Sequence, residues 1–268
     1  MIEKIDLKKE SKSRFIAYID VLGFKNIIEG KKYSALNDYF FNVKKVFKHI
    51  EDVSPEIEYL LISDSIVLIA NDSVISFTRL LEAVQTLQHQ LFKSDIWLRG
   101  SICYGEVFFD KEDNLVVGKG LVKAYLLESE AIYPRVIIDP SLIKRFAYDK
   151  QSFYEMFNPL LTSTNLSHLE LIHSFPSINE DDAIFVSYGY KVLYEDIVNR
   201  TLGYTKRRLA NNLYSGQEQY QKFLWTKNYF IEVLNKIESR WRRLSVKDKS
   251  QYDTRRYIDE NLGEFYKL

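Results

Sequence analysis

Residues 15–28, "FIAYIDVLGFKNII", decide the reading of the fold. Five β-branched, aromatic or small residues run up to a single carboxylate, Asp20, and Gly23 follows at once. The apolar run is too short for a helix and is closed by a glycine, so it predicts a buried strand with Asp20 at its end. Working outward, residues 33–50 place Leu36, Tyr39, Phe40, Val43, Val46 and Phe47 on one helical face. Residues 57–70, "IEYLLISDSIVLIA", predict a β-hairpin turning around Ser63-Asp64-Ser65, with a second carboxylate at its tip. A helix over 74–93 follows, with Phe77, Leu80, Leu81, Val84, Leu87 and Leu91 as its apolar stripe. "WLRGSICYGEVFFD" predicts a further strand pair, "GKGLVKAYLLESEA" a helix and "RVIIDPSLI" a strand before Pro140. The order βαββαββαβ is that of an α+β sandwich, helices against an antiparallel-rich sheet.

The rest of the chain has a different character. Residues 141–180 read as irregular, with strands expected near "LELIHSF" and "DAIFVSYG". From about Tyr190 the pattern is helical and rich in charge, Tyr and Trp, with "VLYEDIVNRTLGYTKRRLANNL" as one helix and "QEQYQKFLWTKNYFIEVLNKIESRWRRL" as another. Its aromatics are expected to be packing residues. This composition shift divides the chain into 1–185, with a core at 14–140, and a helical extension over 186–268.

Bulk properties limit what these residues can do. The 268 residues carry 37 basic and 37 acidic side chains, so no overall field argues for a nucleic-acid partner or a bilayer. No apolar run is long enough for a transmembrane helix, and the first residues carry charge where a signal peptide needs apolar ones. A single cysteine, Cys103, sits in an apolar strand and reads as a small core residue. The expectation is a cytoplasmic protein. His49, His89, His168 and His173 lack metal-ligand spacing. "GKG" at 118–120 lacks the Lys-Ser/Thr of a P-loop, and the basic stretches "TKRRLANN" and "RWRRL" interleave with acids as solvated helix faces do.

Asp20 and Asp64 remain. Each stands where an apolar strand meets a turn, and side-by-side strands would bring both to one edge. Converging carboxylates repel unless a cation lies between them, and Mg²⁺ is typically held by one or two carboxylates plus substrate phosphates. Turn chemistry alone also accounts for an Asp at each position.

Taken together, "YIDVLGFKNI", "LLISDSIVLIA", "LRGSICYGEV" and "GKGLVKAYLLESEA" resemble, in order, the successive blocks of a class III nucleotidyl cyclase catalytic domain. The resemblance implies a ferredoxin-like, palm-type sandwich in which Asp20 and Asp64 hold two Mn²⁺ or Mg²⁺ ions. It implies that backbone amides at Gly23, Phe24 and Lys25 lie against phosphate oxygens. Arg99, at the family's LRxG position, becomes a candidate for phosphate contact or for bracing the carboxylates. The implied reaction is attack of a ribose 3′-hydroxyl on the α-phosphate of the same nucleoside triphosphate, with loss of pyrophosphate.

Departures from that pattern narrow the expectation. The two positions at which purine cyclases read their base with polar residues hold Leu60 and Leu115. A purine edge would lose its hydrogen-bond partners there. The family's transition-state Asn and Arg fall on Val122 and Leu126, leaving Lys119, Lys123 or Arg135 as the replacement cation. An apolar base pocket with "YIDVLGFK" and "ESEAIYPRVIID" most resembles the pyrimidine cyclases of bacterial anti-phage Pycsar systems. That resemblance implies cyclic UMP or cyclic CMP as product, a separate cyclic-nucleotide-sensing effector, and a head-to-tail homodimer. The helical extension then serves dimer support or regulation. Two other readings stand beside it: a palm-type synthase of cyclic oligonucleotides, and a non-catalytic nucleotide-sensing or scaffold module.

Overall fold

Ten-residue β1 (Lys12–Val21) is an interior strand of the sheet, and its two faces explain why the run from Phe15 to Ile19 is apolar throughout. In the computed structural model, which describes residues 6–158, 170–174, 183–243 and 249–268, β1 lies between β3 (Ser65–Ala70) and β4 (Leu98–Asp110), antiparallel to both. β2 (Glu58–Ile62) adds outside β3. On the other side, β6 (Val136–Ile138) runs parallel to β4, followed by β8 (Phe185–Val186) and β7 (Ile172–His173). β5 (Leu115–Val117) folds back on the far end of β4.

Phe15, Ala17, Ile19 and Val21 alternate along β1 with Ile16, Tyr18 and Asp20. Phe15 packs 4.8 Å from Phe77 of α4 (Val74–Phe92) and 5.7 Å from Phe146 of α6 (Ser141–Phe146). Ile16 points the other way, toward α5 (Lys119–Glu128). Helices thus cover both faces, and a strand in that position has no solvent-facing row to make polar. α4 begins at Ser73, whose hydroxyl accepts from the Ser76 amide at 3.0 Å, and all six residues of its expected stripe are buried. α3 (Tyr33–Val53) buries Tyr39, Val43, Val46 and Phe47, whereas Phe40 is exposed. A short α2 (Phe24–Glu29) precedes it, and a single-turn α1 (Leu7–Glu10) precedes β1.

Two glycines allow α5 to sit directly on the sheet. A Cβ on Gly105 of β4 would lie 2.6 Å from the Gly120 Cα, and one on Gly120 would lie 2.6 Å from Ile16 Cδ1. At that closeness Ser101 Oγ donates to the Ala124 carbonyl at 2.6 Å, and Cys103 Sγ donates to the Gly120 carbonyl at 3.2 Å. "GKG" is therefore a packing device, and Cys103 is a core residue whose thiol burial pushes up to about 12.

Several expectations are corrected. "WLRGSICYGEVFFD" is one long strand, and its partner is β5 beyond the turn, so the order βαββαββαβ stands with the pair moved. Residues 141–157, expected to be irregular, carry α6 and α7 (Lys150–Phe157); Phe146, Phe153 and Phe157 close an aromatic cluster around Phe77. This packing is tertiary and leaves no long periodic stretch to read. The stretch read as one helix over 192–213 is two, α8 (Tyr188–Asn199) and α9 (Leu202–Leu213), because Arg200 takes a left-handed φ of 59°. The Asp196 carboxylate accepts from Thr201 and Thr205 across that break.

By compactness the chain divides into Met1–Phe157 with Ile172–Val186, and Asn158–Leu171 with Ser187–Leu268. In the second unit α10 (Gln217–Arg243) packs on α8, α9 and α11 (Lys249–Tyr266). The Tyr229 hydroxyl, fully buried there, accepts from the Gly189 amide at 2.8 Å. Among the described residues no helix is long and apolar enough to cross a membrane.

The close approach of α5 is directly testable. Gly120→Ala should lower stability by about 1–3 kcal/mol, since backbone and Ile16 must both give way. Gly203→Ala, in α9 with nothing within 4 Å of the new methyl, should be neutral or stabilising by up to about 0.5 kcal/mol. Urea unfolding of the two variants measures both, and equal effects would refute the packing role of Gly120.

Candidate functional site

Period-two alternation on β1 puts Asp20 on the face that carries α5, and the ladder places it directly opposite Arg99 of β4. Asp64 arrives from the β2–β3 hairpin. Its turn is held in an uncommon shape: Ser63 takes a left-handed φ of 58°, and its carbonyl accepts from the Tyr39 hydroxyl of α3 at 3.3 Å. The Asp20 and Asp64 carboxyls lie close enough for their charges to interact, so the hairpin tip and the end of β1 converge. Burial, then the Asp64 charge and then Glu128 push Asp20 up to about 6, against the opposing pull of Arg99. Burial first, then Asp64 and Asp20, also hold the Tyr39 phenol well above its ordinary range.

Arg99 reaches Asp20 Oδ2 with Nη2 at 3.8 Å and Glu128 Oε1 with Nε at 2.5 Å. It thus stands between two carboxylates, one from β1 and one from α5. Behind it, the Tyr18 hydroxyl shares a 2.9 Å hydrogen bond with Ser65 Oγ, and its ring packs edge-on to Tyr125 of α5 at 5.5 Å. Two converging carboxyls with one guanidinium nearby form an oxygen donor set of the kind hard divalent cations take. Among the described residues no group of three or more His, Cys, Asp or Glu is arranged as a complete cage. A metal here would need substrate oxygens or water to fill its shell. His168 lies outside the described residues.

The other expected site residues divide. Gly23 adopts a left-handed φ of 74° and lets the chain turn from β1 into α2. The Phe24 side chain is buried against Tyr39 at 5.6 Å, and Lys25 pairs with Glu29 at 3.6 Å on the surface, so only their amides remain available to a phosphate. Leu60 is buried in a cluster with Ile16, Val67, Cys103 and Ala124, whereas Leu115 turns its side chain to solvent. The two leucines do not form one wall within the chain, because β5 alternation puts Val116, and not Leu115, against that cluster.

Arg135 is corrected outright. It is 2% exposed, with its guanidinium over the rings of Tyr133 and Phe185, and is part of the core. Lys123 pairs closely with Asp139 and donates to Ser141 Oγ at 3.3 Å. Lys119 is exposed on an open groove of about 380 Å³ that Val122 and Leu126 also line. Sequence reasoning missed Glu128 and Tyr39. A glutamate in the last turn of a helix, against the dipole, was the available signal for the first; the second was legible only as an apolar-face residue.

No protein-family model and no curated protein sequence matches the chain. Solved structures do resemble it in part. The guanylyl cyclase Cya2 aligns at 15% identity over 66% of this chain and 91% of its own, with a TM-score of 0.41. The adenylyl cyclase CyaB from P. aeruginosa aligns at 15% identity over 66% and 95%, with a TM-score of 0.40. A bacterial light-regulated adenylyl cyclase aligns at 10% identity over 71% and 58%, with a TM-score of 0.41.

The electrostatics predict a pH-dependent gain on removing one charge. Asp20 moves from an ordinary 3.8 to about 6 on folding, so between those values the folded chain binds more protons than the unfolded one and stability falls as pH rises. Metal-free Asp20→Asn should therefore be more stable than the parent at pH 8 by about 1–3 kcal/mol, and the difference should vanish near pH 4. Denaturant melts at both pH values check this; a loss of stability at pH 8 would contradict it.

Proposed function

We propose that the chain is a nucleotidyl cyclase acting on a nucleoside triphosphate. The observation that carries this reading is the convergence of Asp20 and Asp64, from the end of β1 and the tip of the β2–β3 hairpin, with Arg99 beside them. A site that gathers like charges around one guanidinium is destabilised when empty, and a metal-bound polyphosphate is the kind of ligand that relieves it. Asp20 and Asp64 hold the divalent ions, Mn²⁺ or Mg²⁺, whose chemistry when bound is to polarise the α-phosphate and lower the pKa of the attacking hydroxyl.

The chain's own residues do the rest. Gly23 in its left-handed conformation presents the amides of the β1–α2 turn, and those of Phe24 and Lys25, to phosphate oxygens. Arg99 offers its terminal nitrogens to the same anion. In the reaction, ribose O3′ loses its proton and bonds to the α-phosphorus as the bond to the pyrophosphate oxygen breaks. Atoms balance as cyclic nucleotide, pyrophosphate and one proton released to water.

The finer reading is a pyrimidine base, UTP or CTP, giving cyclic UMP or cyclic CMP. It rests on the apolar residues at positions 60 and 115, where purine-reading relatives carry polar ones. It extends to a homodimer, whose support is the outward face of α5: Val122, Tyr125 and Leu126 are each more than half exposed beside the site. A second copy placed head to tail would cover that face and bring Lys119 to the neighbouring site. A role in anti-phage signalling through a separate effector completes the proposal.

Incubation with equal concentrations of the four NTPs and Mn²⁺, with products identified by mass spectrometry, tests each level. A cyclic pyrimidine mononucleotide should exceed the purine products by at least about tenfold, worth roughly 1.4 kcal/mol. Cyclic AMP or GMP as main product overturns the base assignment alone. Linked dinucleotides indicate the synthase, and absence of product indicates the non-catalytic module. Asp20→Ala or Asp64→Ala should abolish turnover while both variants stay folded by circular dichroism. Specific activity should fall on dilution through the dimer dissociation constant measured by sedimentation; full activity of a monomer refutes the shared site.

A further inference from the structure

We propose that Glu128 is a positioning residue for polyphosphate binding, acting through Arg99. The inference rests on the cyclase reading for its kinetics and is testable without it. Glu128 is the last residue of α5, where a negative side chain opposes the helix dipole, and its carboxylate is 5% exposed. Neither feature favours a glutamate for the sake of helix stability. Its compensation is the 2.5 Å ion pair with Arg99 Nε.

That pairing uses one edge of the guanidinium. The contact is an ion pair without hydrogen-bond geometry, and because the group is a planar, rigid fork of donors, drawing its Nε edge toward Glu128 biases the directions of both terminal nitrogens. Nη2 then stands 3.8 Å from Asp20 Oδ2, beyond hydrogen-bond length. It is close enough to offset the aspartate charge, and short of a contact that would have to break before an anion could be taken. A buried carboxylate behind Arg99 also keeps the guanidinium from swinging down to Asp20 and neutralising it outright.

The platform for Glu128 is stiff. α5 is bound to β4 through Ser101 and Cys103 and seated by the Gly105–Gly120 contact, and β4 is the strand that carries Arg99. Both partners of the ion pair are thus referred to one backbone frame. Lysine in place of Arg99 would supply charge without the second edge, and so without the orientation.

The experiment measures steady-state kinetics of the parent, Glu128→Gln, Glu128→Asp, Arg99→Ala, Arg99→Lys and the Arg99→Ala/Glu128→Gln double variant. In parallel, calorimetry measures binding of inorganic tripolyphosphate with Mn²⁺. Glu128→Gln should raise KM and weaken tripolyphosphate binding about tenfold, with kcat changed less than threefold. Glu128→Asp should restore part of the loss, and Arg99→Lys should behave like Arg99→Ala. In the Arg99→Ala background, Glu128→Gln should have no further effect on either readout.

Equal effects of Glu128→Gln with and without Arg99, or parental tripolyphosphate binding in a folded Glu128→Gln, overturn the proposal. So does a parent that fails to bind tripolyphosphate. A parent that binds tripolyphosphate in this Arg99- and Glu128-dependent way yet makes no cyclic product overturns the cyclase reading and leaves the positioning role standing. If Glu128→Gln does not fold, Arg99→Lys carries the same test, and parental affinity in that variant overturns it.

Discussion

Electrostatic crowding at one end of the central strands is the constraint around which the sheet-bearing unit is arranged. Asp20 and Asp64 converge, Glu128 adds a third negative group within electrostatic reach, and Arg99 answers them from the neighbouring strand. In water such charges would be screened and would separate. Here β1, β3 and β4 fix the backbone that carries them, and α5 limits solvent from one side. The cluster persists because the sheet is stable enough to hold it, with β1 buried on both faces and α4 and α5 packed across it. Sites of this kind store destabilisation that a bound cation or polyanion–metal complex relieves.

The sheet and the site depend on each other through a few close contacts. The Gly105–Gly120 approach lowers α5 onto β4, which brings Glu128 within reach of Arg99. The Tyr39 hydroxyl holds the Ser63 carbonyl and so the hairpin turn that presents Asp64. A cavity or clash at either point would shift a carboxylate without touching it. Geometry at the cluster is therefore a property of the packing of α3 and α5 as much as of the residues that bear charge.

The outer face of α5 sets the other limit on function. Val122, Tyr125 and Leu126 present apolar surface on the outer side of that helix. Lys123 is occupied by Asp139 and Arg135 is enclosed in the core, which leaves Lys119 as the exposed cation of that helix nearest the groove.

Much of this was legible in the chain. Asp20 and Asp64 stand out because a lone carboxylate at the end of an apolar run has no packing purpose, and strand periodicity assigns Asp20 a face. The α+β order, the stripe of α4 and the hairpin over 57–70 follow from local periodicity, which is set by residues a few positions apart. What failed to show depends on contacts distant in sequence. The short α6 and α7 take their stability from an aromatic cluster around Phe77, the break at Arg200 is a single left-handed residue, and β5 is too short to register a period. Burial decided the rest: Arg135 looks like a site residue by position and is a core residue by packing, and Leu60 presents its apolar side chain from within the core. Glu128 reads as one more charged helix residue until the fold sets it against Arg99. A sequence states which charges exist and which face each takes; only the packed sheet and helix determine which of them meet, because the energy of a charge depends on its neighbours in space and on the water they exclude.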